Sequence, residues 1–488
     1  MGVRVCVALG GLGTTAAIEA MGVAARGGAD LAELRLDLMP GFDLEALLAS
    51  RPLPVIVTYR PKRAGGAYVG SEEGRVATLR KALALGAEHV DAEPDTVHLL
   101  RGAGPGKLIV SHHDFAGVTR PLATVYRRLA GLGADIVKMA VTAQRIEDNL
   151  EVFEVLRQAD RPTIGLAMGE AGVISRILAG RYGAYLTFAA PDEAGGTAPG
   201  QVSLGDMVGM YRAGDIGPAT ALYGVIANPV GHSLSPAIHN AAFSHCGLDA
   251  VYLPLLVEEP VSFLQRFVPL GFRGFSVTIP HKQAVIQALD ELEPLARRIG
   301  AANTVVVSNG RLSGYNSDAE GAVRSIEEFL PSGAALAGMQ ALLIGAGGLA
   351  RALAYALSDR GVRLTIANRG LGRARELATE VGATYVALEK MAGVPADLLL
   401  QTTSVGMHPK VGESIVPAAM LHPGLVVYDA VYNPLETRLL REARAAGCVT
   451  VSGLGHFVNQ AARQFELWTG LEAPRDIMRQ VMLTRLAR

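Results

Sequence analysis

Eight short apolar runs recur over residues 1 to about 213, each followed by a loop and a stretch rich in alanine, leucine and arginine. The runs are VRVCVAL (3–9), AELRLD (32–37), PVIVTYR (54–60), HVDAE (89–93), KLIVSHHD (107–114), ADIVKMA (134–140), PTIGLAM (162–168) and AYLTFAA (184–190). Such alternation is typical of parallel strands joined by helices. Eight units in this length predict a (β/α)8 barrel.

The segment GDIGPAT (214–220) breaks this pattern, and the α/β alternation restarts with YGVIANPVG. We therefore predict a barrel over 1–213, a linker at 214–221 and a second α/β half. That half divides near residue 323, because LLIGAGGLARA (342–352) opens a nucleotide-type unit. The prediction is a substrate domain at 222–322, completed by helices at 456–488, and a Rossmann-type domain at 323–455. Aromatic residues of the last part have helical spacing and are expected to pack.

The charge balance favours a small-molecule partner. The chain has 45 basic and 46 acidic residues, so it offers no broad field to nucleic acid or to an anionic membrane. No apolar stretch reaches the ~18–20 residues that span a bilayer. Cys6, Cys246 and Cys448 lie far apart without metal-ligand spacing, so we expect reduced thiols and no metal site. No signal segment precedes the first strand, and we expect a soluble, cytoplasmic protein; an oligomer is possible.

Polar residues fall at the ends of five barrel strands, where such barrels carry their chemistry. These residues are Glu33, Arg35, Asp37, Arg60, Asp91, Glu93, His112, His113 and Lys138. In AELRLD the alternation places Glu33, Arg35 and Asp37 on one face. Charges are rarely directed inward without a ligand or partner, so a binding site is predicted here.

Lys138 interrupts the apolar strand DIVKMAV, so its amine is expected to be partly desolvated. Burial and neighbouring cations such as Arg35 or Arg60 would favour the uncharged amine. An uncharged lysine can form a Schiff base with a ketone, and a nearby histidine can then remove a proton from the adjacent carbon. The alternative is a structural lysine paired with an acid.

ELRLD, TYR, DAE, SHHDF, KMA, SRI and APGQ, in this order and spacing, resemble type I 3-dehydroquinate dehydratase over essentially all of 1–213. The resemblance implies Lys138 as the Schiff-base lysine and His113 as the general base and acid, with Glu93 orienting the imidazole. It implies that the substrate is held by Glu33, Arg35, Arg60, Arg176, Thr197 and Gln201. Arg176 would face the substrate carboxylate, because a guanidinium binds a carboxylate through two hydrogen bonds.

Two positions depart from that family. His112 stands beside His113, and we prefer His113 as the base because it precedes the DF pair. Thr197 replaces a usual serine, which keeps the hydroxyl. The loop GGTAPGQ that carries Thr197 resembles a flexible lid.

In the second half, GAGGLARA follows the strand ALLI and enters a helix. Glycines there let backbone N–H groups approach a pyrophosphate at the helix N-terminus. RLTIANRG ends in Asn368 and Arg369, where NAD binders have an acidic residue. With Arg369 and Arg373 in place a 2′-phosphate would be stabilised, so we expect NADP. The alternative is a pair of arginines on a solvated helix start.

Further polar residues follow strands of the second half. ANPVGHSLSPAIHN carries two hydroxyls, Ser233 and Ser235, which suit a carboxylate beside a helix start. FSVTIPHK, AANTVV and GYNSDAEG carry Thr278, Lys282, Asn303 and Asp318. Asp318 taken alone would more often be a helix N-cap.

This set resembles shikimate dehydrogenase over about 222–488. The resemblance implies Lys282 and Asp318 as the catalytic pair. It implies that the substrate is bound by Ser233, Ser235, Thr278, Asn303, Tyr432 and Gln460. The expected cofactor residues are Gly345, Ala346, Gly347, Gly348, Asn368, Arg369, Arg373, Thr402, Met407 and Gly453, with TTSVGM (402–407) and Gly453 beside the nicotinamide. Gly370 and His456 depart from the family, which usually has threonine and methionine there; His456 is expected to be a pocket wall.

The two resemblances together predict an enzyme that dehydrates 3-dehydroquinate and then reduces 3-dehydroshikimate to shikimate with NADPH. One alternative is a Schiff-base aldolase coupled to an unrelated reductase. Others are quinate oxidation with NAD in the second half, and a non-catalytic sensor that binds quinate-like ligands.

Overall fold

The structure, a computed structural model, describes residues 2–192, 195–330 and 333–487. The chain divides into two compact units. The first comprises residues 1–222, 228–231 and 249–259, and the second comprises 223–227, 232–248 and 260–488. Two units are separated here, whereas the sequence predicts three domains and a linker, so the predicted domain borders stay predictions.

Residues 4–189 of the first unit form an eight-stranded parallel sheet, which confirms the predicted barrel. Its strands are β1 (Arg4–Leu9), β2 (Leu31–Arg35), β3 (Val55–Thr58), β4 (His89–Ala92), β5 (Lys107–Asp114), β6 (Ile136–Thr142), β7 (Thr163–Met168) and β8 (Leu186–Ala189). Their order is β7-β6-β5-β4-β3-β2-β1-β8. The Tyr185 N–H donates to the Thr163 carbonyl at 2.8 Å, which brings the two ends of the sheet together.

The helices of this unit are α1 (Thr14–Arg26), α2 (Leu44–Ala49), α3 (Glu72–Ala84), α4 (Leu122–Ala130), α5 (Asn149–Gln158) and α6 (Val173–Ile177). The side chains of Asp43 and Ser71 accept hydrogen bonds from backbone N–H groups at the starts of α2 and α3, so these two residues cap the helices. Branched apolar side chains from alternate strands, including Ile56, Ile109 and Ile164, fill the barrel interior. This core leaves the strand ends as the place for polar side chains.

One detail of the predicted strands is wrong. β2 ends at Arg35, and Leu36–Leu38 forms a 3-10 turn instead of further strand. The alternation therefore stops before Asp37. Its carboxylate turns back to accept two hydrogen bonds from Arg35, at 3.0 and 2.9 Å.

β10 (Ala250–Leu256) also belongs to the first unit. The second unit contains most of β9 (Ala221–Ala227), followed by α7 (Ser235–His245), α8 (Pro260–Phe267), β11 (Phe272–Val277), β12 (Glu291–Leu292), α9 (Pro294–Ile299), β13 (Thr304–Ser308), β14 (Arg311–Tyr315) and α10 (Ser317–Glu327). Within this unit the strand order is β9-β11-β13-β14-β12. β13 runs antiparallel to both β11 and β14. β12 runs parallel to β14, so the sheet is mixed.

The following sheet is wholly parallel. It contains β15 (Gln340–Ile344), β16 (Arg363–Asn368), β17 (Thr384–Ala387), β18 (Leu398–Gln401), β19 (Val426–Asp429) and β20 (Val449–Ser452) in the order β17-β16-β15-β18-β19-β20. Its helices are α11 (Gly348–Ser358), α12 (Leu371–Val381) and α13 (Arg438–Ala445). The order reverses between β15 and β18, which is where Rossmann-type sheets bind dinucleotides. The Rossmann prediction is confirmed.

Two helices, α14 (Gly453–Thr469) and α15 (Arg475–Leu486), complete the chain. A Cβ atom on Gly321 of α10 would lie 2.6 Å from the Gln460 backbone nitrogen of α14, so the two backbones are in direct contact. Phe465 of α14 is fully buried, as expected for a packing aromatic. Among the described residues no helix combines the length and apolarity needed to cross a bilayer.

Candidate active sites

A pocket opens at the C-terminal ends of the barrel strands, and we call it the barrel pocket. Eight predicted site residues line it: Glu33, Arg35, Arg60, His113, Lys138, Arg176, Thr197 and Gln201. The structure thus brings together nearly all of the residues that the sequence assigned to this site. Glu93 is the exception and lies behind Arg60.

Lys138 projects from β6 and is only 4 % exposed. Its Nζ lies 2.8 Å from Asp91 Oδ2 and 3.3 Å from Glu33 Oε1. The expected neighbouring cations Arg35 and Arg60 line the same pocket, but the hydrogen-bonding partners of the Lys138 amine are two carboxylates. Pairing with acids is also what a structural lysine would show. The choice between these roles therefore depends on the other groups in the barrel pocket.

Asp91 has a central place that the sequence did not assign to it. Besides Lys138, its carboxylate contacts Arg60 at 2.9 Å and the Ser111 hydroxyl at 2.6 Å. Burial by itself would raise the pKa of Asp91, but Arg60 and Lys138 bring it well below its ordinary value. The sequence could have indicated this role, because Asp91 lies two residues before Glu93 and therefore on the same face of the strand.

Glu93 has partners other than the predicted one. Its carboxylate contacts Arg60 at 2.9 Å and Arg75 at 2.6 Å rather than the imidazole of His113. Arg75 is fully buried on α3 and was missed by the sequence reasoning. The sequence could have indicated this residue, because Arg75 lies four positions before the buried Leu79 and therefore on the apolar face of α3.

His113 lies on β5 with its ring stacked on Phe115, at 5.9 Å between centroids and 15° between planes. Burial lowers the pKa of His113 well below 6.5, and Arg60 and Lys138 lower it further. The imidazole is therefore neutral near pH 7 and can accept a proton. His112 does not line the barrel pocket. This placement supports the preference for His113.

Arg176 is 1 % exposed, and burial lowers its pKa to about 10. Its buried Nε has no hydrogen-bond partner within residues 2–192, 195–330 and 333–487. A buried guanidinium without a carboxylate is costly unless an anion binds it. Arg176 therefore gives the barrel pocket a site for an anionic group. A pocket that binds an anion beside Lys138 favours a functional role for this lysine over a purely structural one.

The loop that carries Thr197 is folded around Gln201. The Gln201 side-chain oxygen accepts hydrogen bonds from the backbone nitrogens of Thr197 and Ala198, at 2.7 and 3.2 Å. Both Thr197 and Gln201 line the barrel pocket. The loop thus forms part of its wall.

In the second unit Lys282 and Asp318 form an ion pair, with 2.5 Å between Nζ and Oδ2. Burial alone would raise the pKa of Asp318, but Lys282 and then His456 lower it overall. The alternative role of Asp318 as a helix N-cap is wrong, because Asn316 caps α10 by accepting the Ala319 N–H. The paired ammonium and carboxylate can hold and pass one proton.

The predicted substrate residues of this half also belong to the second unit. The Asn303 amide bonds Ser317 at the start of α10, donating to its hydroxyl at 3.0 Å and accepting its N–H at 2.8 Å. Tyr432 packs on Phe457 at 4.9 Å between ring centroids. The remaining predicted residues are Ser233 and Ser235 at the start of α7, Thr278 after β11 and Gln460 on α14. A separate open cavity bounded by α8 and the β13–β14 turn contains none of these residues.

His456 is buried in the first turn of α14. Its Nδ1 lies 2.7 Å from the Tyr428 hydroxyl, and burial lowers its pKa to about 4. The ring is therefore neutral near pH 7. This agrees with the expected pocket wall more than with an added acid or base.

The Gly-rich turn has the form that a pyrophosphate site requires. Gly345 has φ +117°, and a Cβ there would lie 2.6 Å from the Thr402 hydroxyl oxygen, so only glycine fits. Gly347 caps α11 without a side-chain hydrogen bond, and space is open beside Gly347 and Gly348. The first N–H groups of α11 can therefore face an anion, and the turn, with Ala346, fits a dinucleotide.

The end of β16 supports the same interpretation. Arg369 and Arg373 are exposed, and neither pairs with a carboxylate in the part of the chain that the structure describes. Asn368 donates its amide to the Gly370 carbonyl at 3.0 Å. On the other side of the turn, the Thr402 hydroxyl donates to the Ile344 carbonyl at 2.7 Å.

The two remaining predicted cofactor residues are less decisive. Met407 is about half exposed. A Cβ on Gly453 would lie 2.3 Å from the Ala430 carbonyl oxygen, so close packing alone explains that glycine.

A barrel with a buried lysine at its strand ends, followed by a Rossmann-type sheet, defines a class that combines a Schiff-base lyase with a dinucleotide-dependent reductase. The model of the type I 3-dehydroquinase family matches residues 5–218. Three shikimate dehydrogenase models follow: the substrate binding domain at 225–305, shikimate / quinate 5-dehydrogenase at 330–415 and the C-terminal domain at 453–483.

Relatives with assigned names agree with these matches. A chloroplastic bifunctional 3-dehydroquinate dehydratase/shikimate dehydrogenase of Arabidopsis thaliana is 43 % identical over 482 residues, 93 % of this chain and 80 % of that protein. A shikimate dehydrogenase (NADP(+)) of Bacillus cereus (strain G9842) is 44 % identical over 274 residues, 54 % of this chain and 98 % of that protein. The crystal structure of shikimate 5-dehydrogenase from Listeria monocytogenes with shikimate and NAD has a TM-score of 0.51 and 36 % identity, covering 54 % of this chain and 96 % of that one. The chain belongs to the family of bifunctional 3-dehydroquinate dehydratase/shikimate dehydrogenases.

Proposed function

We propose that the barrel dehydrates 3-dehydroquinate to 3-dehydroshikimate and that the second unit reduces this product to shikimate with NADPH. The observation that carries the proposal is the barrel pocket, where the Lys138 amine, the neutral imidazole of His113 and Arg176 line one cavity. The Arg176 Nε has no hydrogen-bond partner in the part of the chain that the structure describes. The three groups are an imine-forming amine, a proton acceptor and an anion binder. A β-hydroxy ketone with a carboxylate needs all three.

In the proposed dehydration Arg176 binds the substrate carboxylate, and Lys138 gives one proton to the neutral imidazole of His113, which passes it to the carbonyl oxygen as the imine forms. The free amine attacks the ketone carbon, and the carbonyl oxygen leaves as water when the imine forms. His113 then removes a proton from the adjacent carbon and returns it to the departing C1 hydroxyl, which leaves as a second water. A water molecule hydrolyses the imine and releases both product and amine.

In the proposed reduction Lys282 donates a hydrogen bond to the ketone oxygen and transfers its proton as the alcohol forms. Asp318 holds the Lys282 side chain in place, with 2.5 Å between Oδ2 and Nζ. NADPH held at the Gly-rich turn, residues 345–348, would supply the hydride for this reduction. The exposed Arg369 and Arg373 support a 2′-phosphate and therefore NADP over NAD.

The cellular setting is also a proposal. The free cysteines Cys6, Cys246 and Cys448 suit a reducing compartment, which supports a cytoplasmic location. Whether the chain forms an oligomer stays a prediction, which light scattering would test.

One coupled assay tests the proposed function. The full chain is given 3-dehydroquinate and NADPH, and we expect one NADPH to be oxidised for each shikimate formed. Binding of 3-dehydroquinate without turnover would instead indicate a sensor, and carbon–carbon cleavage products would indicate an aldolase. Quinate with NAD as the preferred pair would contradict the reductase assignment.

A further inference from the structure

Two buried polar side chains end the neighbouring strands β18 and β19. Gln401 is 1 % exposed and Asp429 is fully buried. They are register partners on adjacent parallel strands, and the Gln401 amide nitrogen lies 3.4 Å from Asp429 Oδ1. Buried polar groups away from the reacting atoms need a structural or positioning explanation.

Gln401 uses its amide to shape the loop at 402–407. Its nitrogen donates to the Thr403 and Val405 carbonyls, both at 3.1 Å, and its oxygen accepts the Thr403 N–H at 2.5 Å. The same loop touches the Gly-rich turn through Thr402. Gln401 therefore fixes the loop that carries the predicted nicotinamide contacts.

Asp429 does the same for the segment at 430–437. Its Oδ1 accepts the Val431 N–H at 3.0 Å, and its Oδ2 accepts the Thr437 hydroxyl at 2.6 Å. Thr437 in turn caps α13 by accepting the Leu440 N–H. The residue that follows the 402–407 loop also contacts the 430–437 segment, because the His408 N–H donates to the Asn433 carbonyl at 3.1 Å.

We propose that Gln401 and Asp429 are positioning residues for NADPH: they hold the 402–407 loop and the Tyr432-bearing segment in the arrangement that receives the nicotinamide end. The inference rests on the proposed reductase function. It adds two residues that would touch neither substrate nor coenzyme and act through the loops they hold.

The charge of Asp429 makes this arrangement sensitive to pH. Burial raises the pKa of Asp429 to about 6, although the hydrogen bonds from Thr437, Val431 and Gln401 act to lower it. The neighbouring titratable group is Tyr428, whose phenol stays protonated because burial and the charges of Asp318 and Asp429 raise its pKa. An ionised Asp429 accepts three hydrogen bonds. A protonated one must also donate, so one of its present contacts is lost as pH falls through about 6.

The test compares two ligands of the full chain, NADPH and 2′,5′-ADP, by fluorescence and calorimetric titration between pH 5 and pH 8. Because 2′,5′-ADP has the 2′-phosphate but no nicotinamide, titration of the phosphate affects both ligands. The ratio of the two affinities therefore isolates the nicotinamide end. For wild type, we expect the ratio of NADPH affinity to 2′,5′-ADP affinity to fall about tenfold as pH falls from 7.5 to 5. A loss of this size corresponds to about one hydrogen bond to a charged group.

The variants are Asp429→Asn, which removes the carboxylate charge, and Gln401→Asn, which keeps the amide on a shorter side chain. We expect Asp429→Asn to have a low ratio that no longer varies with pH, and Gln401→Asn to raise KM for NADPH more than KM for 3-dehydroshikimate. Binding of 2′,5′-ADP with near wild-type affinity at pH 7.5 reports that the second unit of each variant is folded.

Two results would overturn the inference. One is an affinity ratio and pH dependence equal to those of wild type in both variants. The other is a fall in Tm with KM for NADPH unchanged, which would leave the pair a purely structural contact. Failure of wild type to bind NADPH at all would overturn the proposed reductase function instead, and this inference with it.

Discussion

The imidazole of His113 is buried among cationic groups, which lower its pKa well below 6.5. A depressed histidine pKa means that the neutral, proton-accepting form persists at lower pH than for a free histidine. We therefore expect kcat/KM for dehydration to stay high as pH falls through 6.5 and to decline only well below it. A pH–rate profile of the full chain measures this. Half-maximal activity at or above pH 6.5 would contradict it.

In the proposed cofactor site, coenzyme choice depends on two exposed arginines, Arg369 just after β16 and Arg373 on α12. Replacing Arg369 by aspartate introduces repulsion for the 2′-phosphate, so Arg369→Asp should lower the NADPH-to-NADH ratio of kcat/KM by at least about tenfold, or ~1.4 kcal/mol. Arg375, exposed on α12 and outside the predicted cofactor residues, gives the matched control Arg375→Asp. Equal loss in both variants would mean that general charge rather than a specific contact sets the preference.

Residue types at strand ends were predictable from the sequence, because period-two alternation shows which side chains leave the apolar core. Their partners were not. Glu93 contacts Arg60 and Arg75 instead of His113, and Arg75 comes from a helix that a strand pattern does not relate to the site. The pairing of carboxylates with cations depends on side chains from several strands and helices. The spacing of residues within one strand does not predict it.

The contact between α10 and α14 gives a prediction about elements. An alanine at Gly321 would place its Cβ 2.6 Å from the backbone of Gln460, so the helices must separate. Gly321→Ala should therefore destabilise the second unit by about 1–3 kcal/mol, despite the better helix propensity of alanine. It should also raise KM for 3-dehydroshikimate. Chemical denaturation and steady-state kinetics measure both effects.

Gly372 gives the matched control for that change. It lies in the exposed first turn of α12, and a Cβ there meets nothing within 4 Å. Gly372→Ala should leave stability unchanged or slightly higher. If both variants behave alike, the close helix contact is not what constrains Gly321.

At the level of elements the sequence predicted all eight barrel strands, because each is a compact apolar run between polar loops. It missed the antiparallel hairpin of β13 and β14. Asn309 and Gly310 at its turn both have positive φ, and an Asn-Gly pair between two apolar runs was the available signal. The alternation of strands and helices around it concealed that signal.

Within the whole molecule the proposed chemistry belongs to separate units, so the two activities should be separable by mutation. Asp318→Asn removes the charge that holds Lys282, and we expect reduction to fall by about 10²–10⁴-fold while dehydration stays at the wild-type rate. Lys138→Ala should do the reverse, with added 3-dehydroshikimate still reduced. Loss of both activities in either single variant would contradict this independence.

The covalent role of Lys138 is the central claim and can be tested directly. The full chain is treated with borohydride in the presence of 3-dehydroquinate, and peptide mass spectrometry locates any reduced adduct. We predict one stable adduct on Lys138, absent without substrate and absent in Lys138→Ala, which should not dehydrate. An unmodified Lys138 in a chain that turns over substrate, or normal dehydration by Lys138→Ala, would contradict the account.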